Sequence, residues 1–177
     1  MRKTLIIILT LFVANSCGQI KTENKNQEKP TNTIQIDTSI IAVLPLDTTL
    51  HWIFNTGKPA DLTTDDFFKI ETILKKCIDE YNLEQEKQFK EVNDKHPESN
   101  LYKKNFFIGL TGYKRQYMAS INSKGEKEVW INCFCREWDK LSRTSPVMVK
   151  DGGSCYFNLK VNLTTGQYYE LLVNGDG

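Results

Sequence analysis

The stretch Glu128-Val129-Trp130-Ile131-Asn132-Cys133-Phe134-Cys135 changes character at every second residue, which is the repeat of a half-buried β-strand. One side carries Val129, Ile131, Cys133 and Cys135; the other carries Trp130, Asn132 and Phe134. A second stretch, Cys155-Tyr156-Phe157-Asn158-Leu159-Lys160-Val161, repeats the pattern. Cys155, Phe157, Leu159, Val161 and Leu163 fall on its first side, and Tyr156, Asn158, Lys160 and Asn162 on its second. Sulfur lines the aliphatic side of both strands, the side a core should occupy.

Outward from this pair, Tyr113 to Asn122 reads as the preceding strand. Arg115 (through its stem), Tyr117, Ala119 and Ile121 share one face, and Ser123-Lys124-Gly125-Glu126 is a short glycine-containing hairpin loop. After the Thr164-Thr165-Gly166 turn, Tyr168 to Asn174 forms a fourth strand with Tyr169, Leu171 and Val173 in phase. Between the two cysteine-bearing strands lies a long excursion, Arg136 to Ser154. Val147-Met148-Val149 is read there as the lead into the next strand, and Gly152-Gly153 as a bulge or bend.

Upstream of the strands the period changes to that of a helix. Thr63 is placed to cap it, Asp65 and Asp66 sit in its first turn, and Leu62 can staple onto Phe67. Phe67, Ile70, Leu74, Cys77, Ile78 and Tyr81 fall within an arc of about 100°. Glu71 and Lys75 have the spacing of an ion pair on the polar side. The pattern continues through a charged stretch until Pro97 stops it. The expectation is α+β: one long helix packed on a four-stranded antiparallel meander.

The amino terminus points to export. Arg2 and Lys3 precede an apolar run from Leu5 to Ala14, too short for the roughly 20 residues that span a bilayer. The run ends in Ala14-Asn15-Ser16-Cys17, which resembles a bacterial lipoprotein signal. That resemblance implies cleavage before Cys17, acylation of Cys17 and insertion of its lipid into a bilayer. Gly18 to Thr33 is polar and has no aromatic residue, as a flexible tether would be. The expected organisation is a signal peptide over 1–16, lipidated Cys17 and tether over 17–45, and one globular domain over 46–177. The expected location is the envelope of a Gram-negative bacterium, on its outer membrane.

The order of one helix followed by a meander resembles the cystatin-like folds. The words Ile73-Leu74-Lys75-Lys76-Cys77, Trp130-Ile131-Asn132-Cys133-Phe134-Cys135 and Asp151-Gly152-Gly153-Ser154-Cys155-Tyr156-Phe157 resemble uncharacterised Bacteroidota lipoproteins with such a domain. The resemblance implies fold and location but carries no activity.

Outside the cytoplasm, four cysteines beyond Cys17 suggest disulfides. Cys133 and Cys135 point the same way along one strand at about 6.5–7 Å, a poor geometry for bonding each other. The favoured pairs are Cys135–Cys155, which bracket the excursion, and Cys77–Cys133, which tie helix to sheet. Reduced core thiols are one alternative. A four-thiolate metal site is the other, with C-x-C plus two single cysteines as a weak match.

Composition narrows the function classes. A net charge of +1 gives no reason to expect nucleic acid. No catalytic constellation emerges: His51 lies in an apolar run, His96 precedes Pro97, and Ser154 lacks the nucleophile-elbow context. No cofactor or metal is expected. The candidate binding face is the side of the sheet away from the helix, with Trp130, Asn132, Phe134, Tyr156, Asn158 and Tyr168 offered to a protein, peptide or glycan. The competing reading has Ile34 to Phe54 folding back over those aromatics as a second small core. The expected function is non-catalytic binding or envelope assembly. The alternatives are an enzyme with a pocket between the helix and the 136–154 excursion, and a cystatin-like inhibitor.

Overall fold

The computed structural model describes residues 37–99, 102–103 and 106–175, so Cys17, the signal segment and most of the tether lie outside the described residues. Helix α1 runs Thr64–Lys95 and starts where the sequence places it. Thr63 Oγ1 accepts from the Asp66 backbone, and Asp66 Oδ2 accepts from Thr63 N at 2.9 Å, a reciprocal capping box. The first half of α1 buries Ile70, Ile73, Leu74, Cys77 and Ile78. Farther along, Phe89 meets Phe106 edge-on at 5.2 Å.

The sheet has six strands: β1 Ile41–Leu44, β2 Lys58–Pro59, β3 Lys114–Ile121, β4 Lys127–Phe134, β5 Tyr156–Asn162 and β6 Gln167–Val173. The expected meander is β3-β4-β5-β6, antiparallel throughout. Two strands were not anticipated. β1 pairs parallel to β3, with Ile41 opposite Arg115 and Leu44 opposite Met118. β2 pairs antiparallel to β3 through Lys58 and Pro59. Both are too short to show alternation, and β1 falls within the stretch to residue 45 read as tether. Gly57 lets β2 approach so closely: a Cβ there would lie 1.9 Å from Ser120 Oγ.

β6 carries a bulge that the sequence phase missed. Lys160 faces Tyr169 and Asn158 faces Leu172, so Glu170 and Leu171 together oppose one residue of β5, and Glu170 takes φ 52°. The slip puts Tyr168 on the helix side with Leu171 and Val173. Tyr168 is thus not part of the Trp130 face; its hydroxyl donates to Glu80 of α1.

The helix side of the sheet is the main core. Tyr117, Val129, Ile131, Cys133, Phe157, Leu159 and Val161 pack there beneath α1. The opposite side holds a second core of Leu44, Ile53, Phe54, Met118 and Trp130, closed by Trp52 standing edge-on to Trp130 at 5.4 Å. This overturns the open aromatic face: Trp130 is 1 %, Phe134 2 % and Asn132 6 % exposed. The cause is the apolar segment 44–54, which needs a surface to bury against.

The 136–154 excursion covers the rest of that side without forming a strand. Buried Gln116 donates to the carbonyls of Ser142 and Ser145 and accepts from Val147 N and Asn132 Nδ2. Val147 is thereby held by a side chain, not a ladder. Trp138 packs on Phe134 at 5.3 Å, and Arg143 lies over the Trp138 ring at 4.5 Å. A Cys135–Cys155 disulfide closes the loop.

The expected Cys77–Cys133 bond is not formed. Both are buried free thiols in the helix–sheet core. Burial pushes the Cys77 thiol up to about 12 and that of Cys133 higher still. They behave as small apolar side chains, not as nucleophiles.

Candidate functional site

Three pieces of chain converge beside the middle of α1. The first is the helix face carrying Glu71, Ile78 and Asn82. The second is the segment 108–112, and the third is the start of β3 with Arg115. Asn82 fixes the segment through both ends of its amide: Nδ2 donates to Ile108 O, and Oδ1 accepts from Ile108 N, each at 2.9 Å. A strand-like bridge is thus made by one side chain. It buries Ile108 and starts the turn in which Tyr113 N donates to Leu110 O. Tyr113 then reaches across to the far cysteine loop, donating from its hydroxyl to Ser154 O at 2.8 Å.

Between these pieces lies a groove of about 600 Å³, within the size range of small-molecule sites. Ile40, Ile78, Ile108 and Leu110 give it apolar walls; Lys75 and Asp79 stand at its rim. Arg115, also part of the wall, has a side chain only 6 % exposed. Its Nε lies 3.1 Å from Glu71 Oε1. The N–H is not in line for a hydrogen bond, so that contact is Coulombic. Nη1 donates to Tyr113 O at 2.9 Å. Tyr117, fully buried, donates its hydroxyl to the same Glu71 oxygen at 2.6 Å.

Burial, reinforced by the Glu71 charge, raises the Tyr117 phenol well above its ordinary value. The phenol stays neutral and remains a donor. Glu71 is thus committed inward, where it compensates a buried guanidinium. The expected Glu71–Lys75 pair does not form; Lys75 bridges Asp79 at 2.6 Å on the surface instead.

The residues singled out from sequence are spread elsewhere. Trp130, Asn132 and Phe134 are core, and Tyr156 and Asn158 are half-buried. The cleft they share beside the excursion, lined by Asn132, Tyr156 and Asn158, holds about 50 Å³, far below the roughly 300 Å³ at which ligand pockets begin. The pocket expected between helix and excursion is replaced by the groove beside residues 108–112. His51 is exposed, and His96 caps the end of α1. Among the described residues, no cluster of three or more His, Cys, Asp or Glu could hold a metal, and no helix is long and apolar enough to cross a membrane.

Sequence reasoning missed the groove because its walls come from residues 40, 71–82 and 108–115, which share no local pattern. One signal was present: an arginine in the core-facing phase of a strand. No family model, curated protein or solved structure matches this chain.

Proposed function

We propose that this chain is a lipid-anchored binding domain of the bacterial envelope, tethered through Cys17, that holds a small ligand in the groove beside residues 108–112. The anchor and the location rest on the amino-terminal sequence. The observation that carries binding is the pairing of an apolar groove of ligand size with an arginine in its wall that makes one hydrogen bond among the described residues. Catalysis is less well supported, because Glu71 already compensates Arg115 and accepts from Tyr117, which suits positioning more than proton transfer.

The test begins with protein purified from its own membrane and extracted with organic solvent. Mass spectrometry should find a small molecule that co-purifies with the native protein and is depleted in Leu110→Glu, a change at a half-buried wall position. Equal recovery from both proteins would contradict the proposal, as would recovery of nothing beyond bulk lipid.

A further inference from the structure

Arginine has five N–H donors in a planar fork. Among the described residues, Arg115 makes one hydrogen bond, from Nη1 to Tyr113 O. Its Nε proton is buried against Glu71 without alignment. The second Nη1 proton and both Nη2 protons have no acceptor among the described residues. Glu71 lies at the Nε edge and is itself held by the Tyr117 hydroxyl. The guanidinium is therefore braced from one side while it forms part of the groove wall.

We infer that the groove takes an apolar carboxylate: a short hydrocarbon chain lying along Ile78, Ile108 and Leu110, its carboxylate accepting from the Nη protons of Arg115. This rests on the groove being a ligand site at all. The planar fork matches a carboxylate in two parallel hydrogen bonds, whereas an alcohol can satisfy only part of it and an ammonium group none. The walls set the rest of the ligand, since four aliphatic side chains leave little for a polyhydroxylated sugar to bond to. Lys75 adds a second positive charge at the rim. Its bridge to Asp79 is largely exposed, with side chains 68 % and 62 % accessible, so Lys75 can turn toward an incoming anion. Glu71, also in the groove lining, acts as a positioning residue by holding the guanidinium at its Nε edge.

The test uses the full chain in lipid nanodiscs, with empty nanodiscs as the blank. Octanoate, octanol and octylamine are titrated by calorimetry. Octanoate should bind at least tenfold more tightly than octanol, and octylamine should not bind above the blank. Arg115→Gln should abolish the preference for octanoate, bringing its affinity down to that of octanol. Because Arg115→Gln disturbs a buried pair, Leu110→Glu serves as the second variant and should weaken both ligands. Equal affinity of octanoate and octanol for the unaltered protein would overturn the carboxylate assignment and leave the groove standing. No binding of any of the three above the blank would overturn the groove reading itself.

Discussion

The centre of the sheet is buried on both sides, by different means. On one side a regular helix presents a stripe of Ile70, Leu74, Cys77 and Ile78 to aliphatic strand residues. On the other, irregular chain from 44–54 and 136–154 covers Trp130, Met118 and Phe134, with buried amides filling the gaps. A helix brings its own backbone hydrogen bonds and needs only an apolar face. Irregular cover brings unpaired carbonyls and amides, so the sheet beneath it must supply polar partners. Gln116 and Asn132 meet that need, satisfying Ser142, Ser145 and Val147. The buried strand amides Gln116 and Asn132 thus sit on the side that irregular chain covers.

If the second side is a true core, its largest side chain should cost as much to remove as any under the helix. Trp130→Ala is expected to destabilise by about 3–5 kcal/mol and Leu159→Ala by about 2–5 kcal/mol, read from urea unfolding. A loss below about 1 kcal/mol for Trp130→Ala would mean that residues 44–54 cover it only loosely. Next comes the staple of the irregular cover. Replacing both Cys135 and Cys155 with Ser should cost about 3 kcal/mol on the chain-entropy model. In the unaltered protein, alkylation without reductant should label Cys77 and Cys133 only after unfolding. Rapid native labelling would show that the helix-side core opens more readily than the geometry implies.

A smaller and more local effect should follow from Gln116→Met, which removes an acceptor for Val147 N and donors to two carbonyls. About 2–3 kcal/mol is expected, together with faster amide exchange at Val147 while Ile131 stays protected. Uniformly faster exchange across both sides would break the distinction between them.

The smallest effect concerns the helix side. Burial opposes ionisation of Asp66, but hydrogen bonds from Lys127 and Thr63, with the Lys127 charge, outweigh it and hold the carboxyl below its ordinary value of 3.8. A carboxyl with a lowered folded pKa stabilises fully above its unfolded value. That stabilisation is lost as pH falls below 3.8 and through the folded value. Asp66→Asn should cost about 1–2 kcal/mol at neutral pH and flatten the acid limb of the stability curve. An unchanged acid limb would remove Asp66 from the explanation.

These contrasts also explain what was legible beforehand. The helix start at Thr63, the hairpin at Ser123–Glu126 and the inward phase of Cys133 and Leu159 were readable because each is local and periodic. β1 and β2 were not, since four and two residues carry no period and depend on β3 for their hydrogen bonds. The bulge at Glu170 reversed the phase of β6, so Tyr168 was assigned to the wrong side. Amphipathic alternation located both sides of the sheet but could not say what covers the second. Trp130 reads the same in sequence whether it faces water or Ile53, and Phe134 whether it faces water or Trp138. The groove was less legible still: Glu71 sits at the right spacing to pair with Lys75, and only the fold turns it toward Arg115.

The most direct test of the groove as the site is amide chemical-shift mapping of the full chain in nanodiscs during an octanoate titration. The largest changes are expected at Ile108, Gly109, Leu110 and Gly112 and at the Asn82 side-chain amide, with little change at Tyr156, Asn158 and Leu172. Saturable changes centred on Tyr156, Asn158 and Leu172, with residues 108–112 unmoved, would contradict this and return the binding surface to the other side of the sheet.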